Sequence, residues 1–307
     1  MTVAEILNLV KCGSDGILGT GIKGCKPFFK KVTAVWLTKQ GFVFPDSQDF
    51  TEEYIKSLQA SGDLIVLRGI KTFTDNTPDD TIDELEDGTK QVAREGLYEF
   101  ALMFVNGLYF DTALHSLNSF GNYDVTLIDR DGNILGTSVT GGFKGFTLGM
   151  LHKQKFSWAT DAQGEREGIA MQLLERDEFD ADKTFIQRKQ LDFNPNRIDG
   201  VNELVVTYAA VPTDSETTIT LDVKTKMDNK PFTGLTFSDF LVTVDGATSN
   251  PTAGDDSAKA GTYVLTVAAL STNESIASRV YDNQGNKPVV ALDTDLYKSN
   301  IATAVVV

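Results

Sequence analysis

The stretch YDVTLIDRDGNILGT, residues 123–137, decides the fold class. Tyr123–Ile128 is a β-prone run, Asp131-Gly132 is a hairpin turn signal, and Ile134–Val139 resumes the run. A strand, a tight turn and a second strand predict an antiparallel hairpin. Downstream, Phe143–Leu151, Lys155–Ala159 and Gly168–Leu174 read as further strands, with a turn at Asp161–Gly164. Upstream, Val32–Leu37, Leu64–Leu67 and Gly96–Val105 have the same character, the last broken by Asn106-Gly107. Phe110, Ala113, Leu114 and Leu117 recur at helical spacing, so Leu108–Asn118 is the strongest helix prediction. Thr51–Gln59 is a second, short one.

Further outward the composition changes. Phe193–Gly200 (FNPNRIDG) has the make-up of a linker. Of 29 aromatic residues, 22 precede residue 201, and Thr, Val and Ala dominate the remainder of the chain. Glu203–Tyr208, Thr218–Val223, Asp239–Val244, Thr262–Val267, Ile276–Tyr281 and Ile301–Val307 are short alternating runs separated by turn residues. Such spacing predicts a β-sandwich. The expected organisation is an N-terminal arm and first strand (1–45), a β domain with one flanking helix (46–197), and a sandwich (198–307). The fold class is mainly β.

The chain has 307 residues and a net charge of −15. That balance argues against a surface built to bind phosphate, where affinity comes from Lys and Arg. Cys12 and Cys25 are the only thiols and His115 and His152 the only imidazoles, too few for a disulfide scaffold or a paired-ligand zinc site. Whether Cys12 and Cys25 pair stays open. No signal-peptide pattern and no apolar run of about 18 residues occurs, so the chain reads as soluble and made in the cytosol.

The motifs that suggest chemistry have blander readings. Gly19-Thr20-Gly21-Ile22-Lys23-Gly24 fits G-x-G-x-x-G, but no strand precedes it and no helix follows, so it reads as a glycine arm. Asp129–Asn133 resembles a calcium loop whose glycine falls at the wrong position, and a hairpin turn is preferred. The acidic stretch 74–95 reads as a solvated, mobile loop. The histidines accompany no nucleophile signature. Glu165-Arg166-Glu167 and Glu175-Arg176-Asp177 read either as solvated strand ends or as charges that pair between copies. No catalytic, cofactor-binding or metal-ligating residue is nominated, and no enzyme activity is expected.

The segments ELEDGTKQVAREGLYEFALMF (84–104), LYFDTALHSL (108–117), YDVTLIDRDGNILGT (123–137) and GGFKGFTLGMLHKQKFSWATDAQGEREGIAMQLLER (141–176) resemble tail-tube and related ring-forming proteins of tailed bacteriophages. This resemblance spans about residues 30–190. It implies a sandwich or barrel protomer with a flanking helix, an arm and a long loop contacting neighbours, stacked as rings around a DNA channel. Residues 201–307 resemble the Ig-like domains appended to phage proteins, with Tyr263 as the tyrosine corner and Leu265 in place of a cysteine. The implied partners are the chain itself, as a hexameric ring or a multiple of one, and other tail or connector proteins. DNA would pass without specific binding, and the location would be the virion, assembled in the host cytoplasm. A connector ring or capsid decoration protein is the alternative within this class. A surface adhesin or carbohydrate-binding module is the alternative outside it.

Overall fold

A computed structural model describes residues 1–9, 29–256, 259–286, 288–292 and 295–307. The glycine motif at 19–24 and both cysteines lie outside the described residues. The fold is mainly β, in two compact units: residues 1–55 with 63–198, and residues 56–62 with 199–307.

The first unit contains α1 (Val3–Leu9), β1 (Val32–Lys39), β2 (Phe44–Pro45), the start of α2 (Glu52–Ser61), β3 (Leu64–Arg68), β4 (Thr72–Asp75), β5 (Thr81–Glu84), β6 (Lys90–Arg94) and β7 (Glu99–Phe104). It continues with α3 (Leu108–His115), β8 (Tyr123–Asp129), β9 (Ile134–Val139), β10 (Gly142–Lys144), β11 (Phe146–Lys153), β12 (Glu167–Leu173), α4 (Asp177–Asp180) and β13 (Lys183–Ile186). Eleven of these strands make one continuous sheet. Its wall runs β3-β1-β8-β11-β12-β7-β4. The strands at its two ends are joined by only Gly69–Lys71, where Ile70 N–H bonds Thr33 C=O and Lys71 N–H bonds Met103 C=O. The wall curls because β11 changes partner: Phe146 and Thr147 pair with β8, and after a bulge at Leu148/Met150 the strand pairs with β12. Inside sits one core that includes Val35, Leu37, Leu102, Val125, Leu127, Phe146, Ile169 and Met171.

Alternation sends the intervening residues of β1 and β8 outward. That face is also covered, by an aromatic layer of Trp36, Phe44, Phe50, Phe143 and Phe193 with neighbouring centroids 5.5–6.3 Å apart. β1 is therefore central to the unit, paired on both edges, and not part of a separable arm. The predicted helix is α3, ending at His115. The predicted strand 143–151 breaks at Gly145, where a Cβ would lie 2.8–2.9 Å from the Val125 backbone. Lys155–Ala159 is not a strand and keeps a single bridge, Ser157 to Arg166. The linker-like segment is packed: Phe193 and Ile198 are buried, and Asn196 Nδ2 donates to Asp129 C=O at 2.6 Å. Its composition marks a unit boundary, but its side chains belong to the core.

The second unit holds β14 (Val201–Tyr208), β15 (Thr218–Thr225), β16 (Phe240–Val244), β17 (Ala247–Thr248), β18 (Ala253–Asp256), β19 (Thr262–Thr266), β20 (Ser275–Val280), β21 (Val290–Leu292), β22 (Asp295–Ser299) and β23 (Ala302–Val305). The sheets run β18-β19-β15-β14-β22-β21 and β17-β16-β20-β23. Reading β14, β15, β16, β18, β19, β20 and β23 as A to G gives the ABED and CFG sheets of a constant-type immunoglobulin sandwich. β22 and β21 extend the first sheet from the edge of A. Tyr263 and Leu265 then lie on strand E, not F, so neither holds the position expected of it. The Tyr263 hydroxyl donates to Phe232 C=O at 2.8 Å, 31 residues upstream, fixing a long connection and not a local corner. Tyr208 and Ser278 hydroxyls, 2.7 Å apart, form a polar link between the two sheets.

Candidate assembly surface

The stretch 74–95, expected as a mobile loop, begins at the end of β4 and then forms a hairpin of its own outside the large sheet. β5 and β6 pair only with each other, as a two-stranded ribbon exposed along its length. Asp87-Gly88 makes its turn: Gly88 has φ of +80°, Gly88 N–H bonds Leu85 C=O at 2.8 Å, and Asp87 Oδ1 accepts Thr89 N–H at 2.9 Å. Ile82 and Val92 are direct cross-strand partners and so share a face. They are 58% and 55% exposed, and Leu85 is 45% exposed. Apolar cross-strand pairs usually form the buried side of a hairpin. Here nothing in the described chain covers them.

The ribbon is fixed at its base. Gly96 passes so close to Pro78 that a Cβ would stand 1.9 Å from its carbonyl oxygen, and Gly96 N–H donates to Asp80 Oδ1 at 2.8 Å. Arg176 spans two carboxylates, Asp80 at 2.6 Å and Asp180 at 2.8 Å, and the Tyr98 hydroxyl donates to Asp180 at 2.5 Å. These bonds hold Asp80 below the usual aspartate range, first through Gly96 N–H and then through Arg176. Asp180 is lowered by the Tyr98 hydroxyl and Arg176. The same bond to Asp180 pushes Tyr98 up to about 12. Arg176 is thus engaged within its own chain. Glu167 is too: it is fully buried and accepts the N–H groups of Asn106 at 3.1 Å and of Gly107. Glu167, being buried, is neither a solvated strand end nor a charge presented to another copy.

A second exposed group lies where β7, β11 and β12 end. Val105, Leu108, Tyr109 and Trp158 are exposed, Tyr109 at 67% and Trp158 at 71%. Trp158 packs edge-on against Phe156, centroids 5.0 Å apart. Here Lys153 of β11 pairs with Asp111 of α3 at 2.8 Å, and its N–H donates to Asn118 Oδ1, three residues past the helix, at 2.5 Å.

The remaining positions of interest have structural employment. Asp129 is buried and its carboxylate accepts N–H donors from Lys30, Asp131 and Asn133 at 2.9–3.0 Å and the Asn133 amide at 2.8 Å, which leaves a turn and no calcium loop. His115 is exposed at the end of α3, its Nδ1 3.2 Å from the Asn118 amide, and His152 is exposed on β11. Among the described residues no group of three or more His, Cys, Asp or Glu side chains is placed to hold a metal.

One buried polar block has no motif. Thr38 and Asp124, then Trp36 and Thr126, are cross-strand partners on the outer face of β1 and β8, all fully buried. Asp124 Oδ2 accepts Gly41 N–H at 2.8 Å. Asp124 Oδ1, both threonine hydroxyls and Trp36 Nε1 have no hydrogen-bond partner in the protein. Burial is the main cause that raises the Asp124 carboxyl, against the pull of Gly41 N–H and Lys144. Beside it Lys144 Nζ pairs with Glu178 at 2.9 Å and donates to Thr147 at 2.8 Å, docking α4 on the sheet. No sequence pattern announces such a set, because it depends on register between strands distant in the chain. Compared with known proteins, the chain matches no protein-family model and no curated protein sequence.

Proposed function

We propose that the chain is a self-assembling structural protein, a tail-tube or tail-ring component of a tailed-bacteriophage virion. The observation that carries this reading is the β5–β6 ribbon. An isolated two-stranded hairpin is marginal in water, and this one exposes a paired apolar face while its base is clamped by Arg176. Such an element makes physical sense when a neighbouring copy buries that face. Repeated head-to-tail contact of this kind closes into a ring or continues as a tube. The net charge of −15 suits a channel that passes DNA without holding it. The resemblance to tail-tube proteins supplies the expected ring of six protomers or a multiple. In this reading the sandwich is an appended module.

The test is negative-stain imaging together with light scattering of the purified chain over a range of concentrations. Rings or tubes are expected. A monomer at the highest concentration, with no larger species on the grid, overturns the reading.

A further inference from the structure

Sheet register places the ribbon and the apolar rim at opposite ends of one four-stranded segment, β11-β12-β7-β4. At one end Asp75 pairs with Phe100 and Gln172 with Glu99, and there the chain leaves for the ribbon and returns from it. At the other end Glu167 pairs with Phe104 and Thr72 with Met103, and there Val105, Leu108, Tyr109 and Trp158 are exposed. The two ends also differ in charge. The ribbon carries Asp83, Glu84, Glu86 and Asp87 against Lys90 and Arg94. The rim carries Lys71, Lys155 and Arg166 against Asp161 and Glu165, and Lys31 joins it by donating its Nζ to Lys71 C=O.

We infer that the rim of one copy receives the Ile82/Val92 face of the ribbon of the next copy. Both surfaces expose apolar side chains, the charges around them are net opposite in sign, and they sit on different ends of the same element. A self-complementary two-fold contact would place acidic ribbon against acidic ribbon, which like-charge repulsion disfavours. Ribbon to rim is a heterologous contact, and it gives the assembly a direction. The inference deepens the proposed self-assembly and depends on it.

The experiment uses full-length chains in which Cys12→Ser and Cys25→Ser remove the native thiols. One chain carries Val92→Cys. A second set carries Leu108→Cys, Tyr109→Cys or Trp158→Cys. After mixing under assembly conditions and mild oxidation, a disulfide-linked pair of one ribbon variant and one rim variant is expected. Each variant alone should stay uncrosslinked. Rings on the grid with no mixed adduct at any of the three rim positions overturn the inference and leave self-assembly standing. Predominant Val92→Cys homodimers also overturn it, by showing a two-fold contact. Absence of assembly in the Cys12→Ser, Cys25→Ser chain and in the unmodified chain overturns the proposed function itself. As a second readout, Lys155→Glu with Lys71→Glu should weaken assembly, and Glu84→Lys with Glu86→Lys in the same chain should restore it. Equal assembly by all of these variants counts against the charge argument and overturns the stated pairing.

Discussion

Asp124 and Glu167 are both carboxylates with no exposed surface, but their surroundings treat them differently. Glu167 is answered by two backbone N–H groups at the turn into α3. Glu167→Leu keeps the volume and removes the acceptor of both N–H groups. The expected loss is about 2 kcal/mol, a drop in melting temperature of about 4–8 °C for a unit of this size, read by calorimetry. Asp124 has one N–H donor and one oxygen unmatched by the protein. Its folded carboxyl is raised above the unfolded value, so its contribution is complete below the unfolded pKa and is lost as pH rises through the folded pKa. Asp124→Asn keeps the Gly41 bond and removes the titration. The variant should gain on the parent in melting temperature as pH rises from 4 to 8. Parallel melting curves at every pH would show that the carboxyl is not desolvated. Neither role is legible in the sequence. In YDVTLID, Asp124 occupies a polar position of a strand whose other face is core, and alternation alone assigns it to solvent. That second face is buried because Trp36 and the aromatic layer cover it, a fact of tertiary packing.

The ribbon shows at the scale of an element how composition can mislead. Asp131-Gly132 reads as a hairpin turn because apolar runs flank it. Asp87-Gly88 is the same turn signal, but Ile82 and Val92 are lone apolar residues among charges, and the segment reads as loop. The cross-strand match of Ile82 with Val92 was the usable clue. Position relative to β4 and β7 was not, since it follows from their pairing. The clamp at the base has a testable acid limit. Asp80 and Asp180 are both lowered from 3.8, so the stabilisation they give is present above about that pH and is lost as pH falls through their folded values. Protection from hydrogen exchange across 76–99, taken relative to the intrinsic amide rate at each pH, should be unchanged between pH 7 and 5 and should fall only below about 3.8. Arg176→Ala should speed exchange there severalfold at neutral pH while the core of β8 and β12 stays protected. Gly96→Ala should do the same through its clash with Pro78. Unchanged exchange in both variants would mean that the ribbon is held by something other than this clamp.

At the scale of the molecule, the two units differ in how their cores are built. The first places a curled sheet between an internal core and an external aromatic layer, and its last contribution is Ile198. Among the described residues the main core cluster of the second spans Leu204 to Val306, shared between two sheets with immunoglobulin strand order. The Thr-, Val- and Ala-rich alternation after residue 201 exposed this sandwich at the level of sequence, because β15, β16 and β20 each alternate between buried and less buried residues. A complete core of its own implies that residues 199–307 fold alone, with one cooperative melt. The ribbon, its clamp and the rim all lie within residues 1–198. A chain ending at Ile198 should therefore still form rings, and separate expression with imaging of the first piece and calorimetry of the second checks both statements. A folded but monomeric 1–198 would move an essential contact into the sandwich. A melt of 199–307 without cooperativity would instead mean that residues 56–62, grouped with this unit and tied to it by Gln59 Nε2 donating to Asp199 C=O at 2.8 Å, are required for its fold.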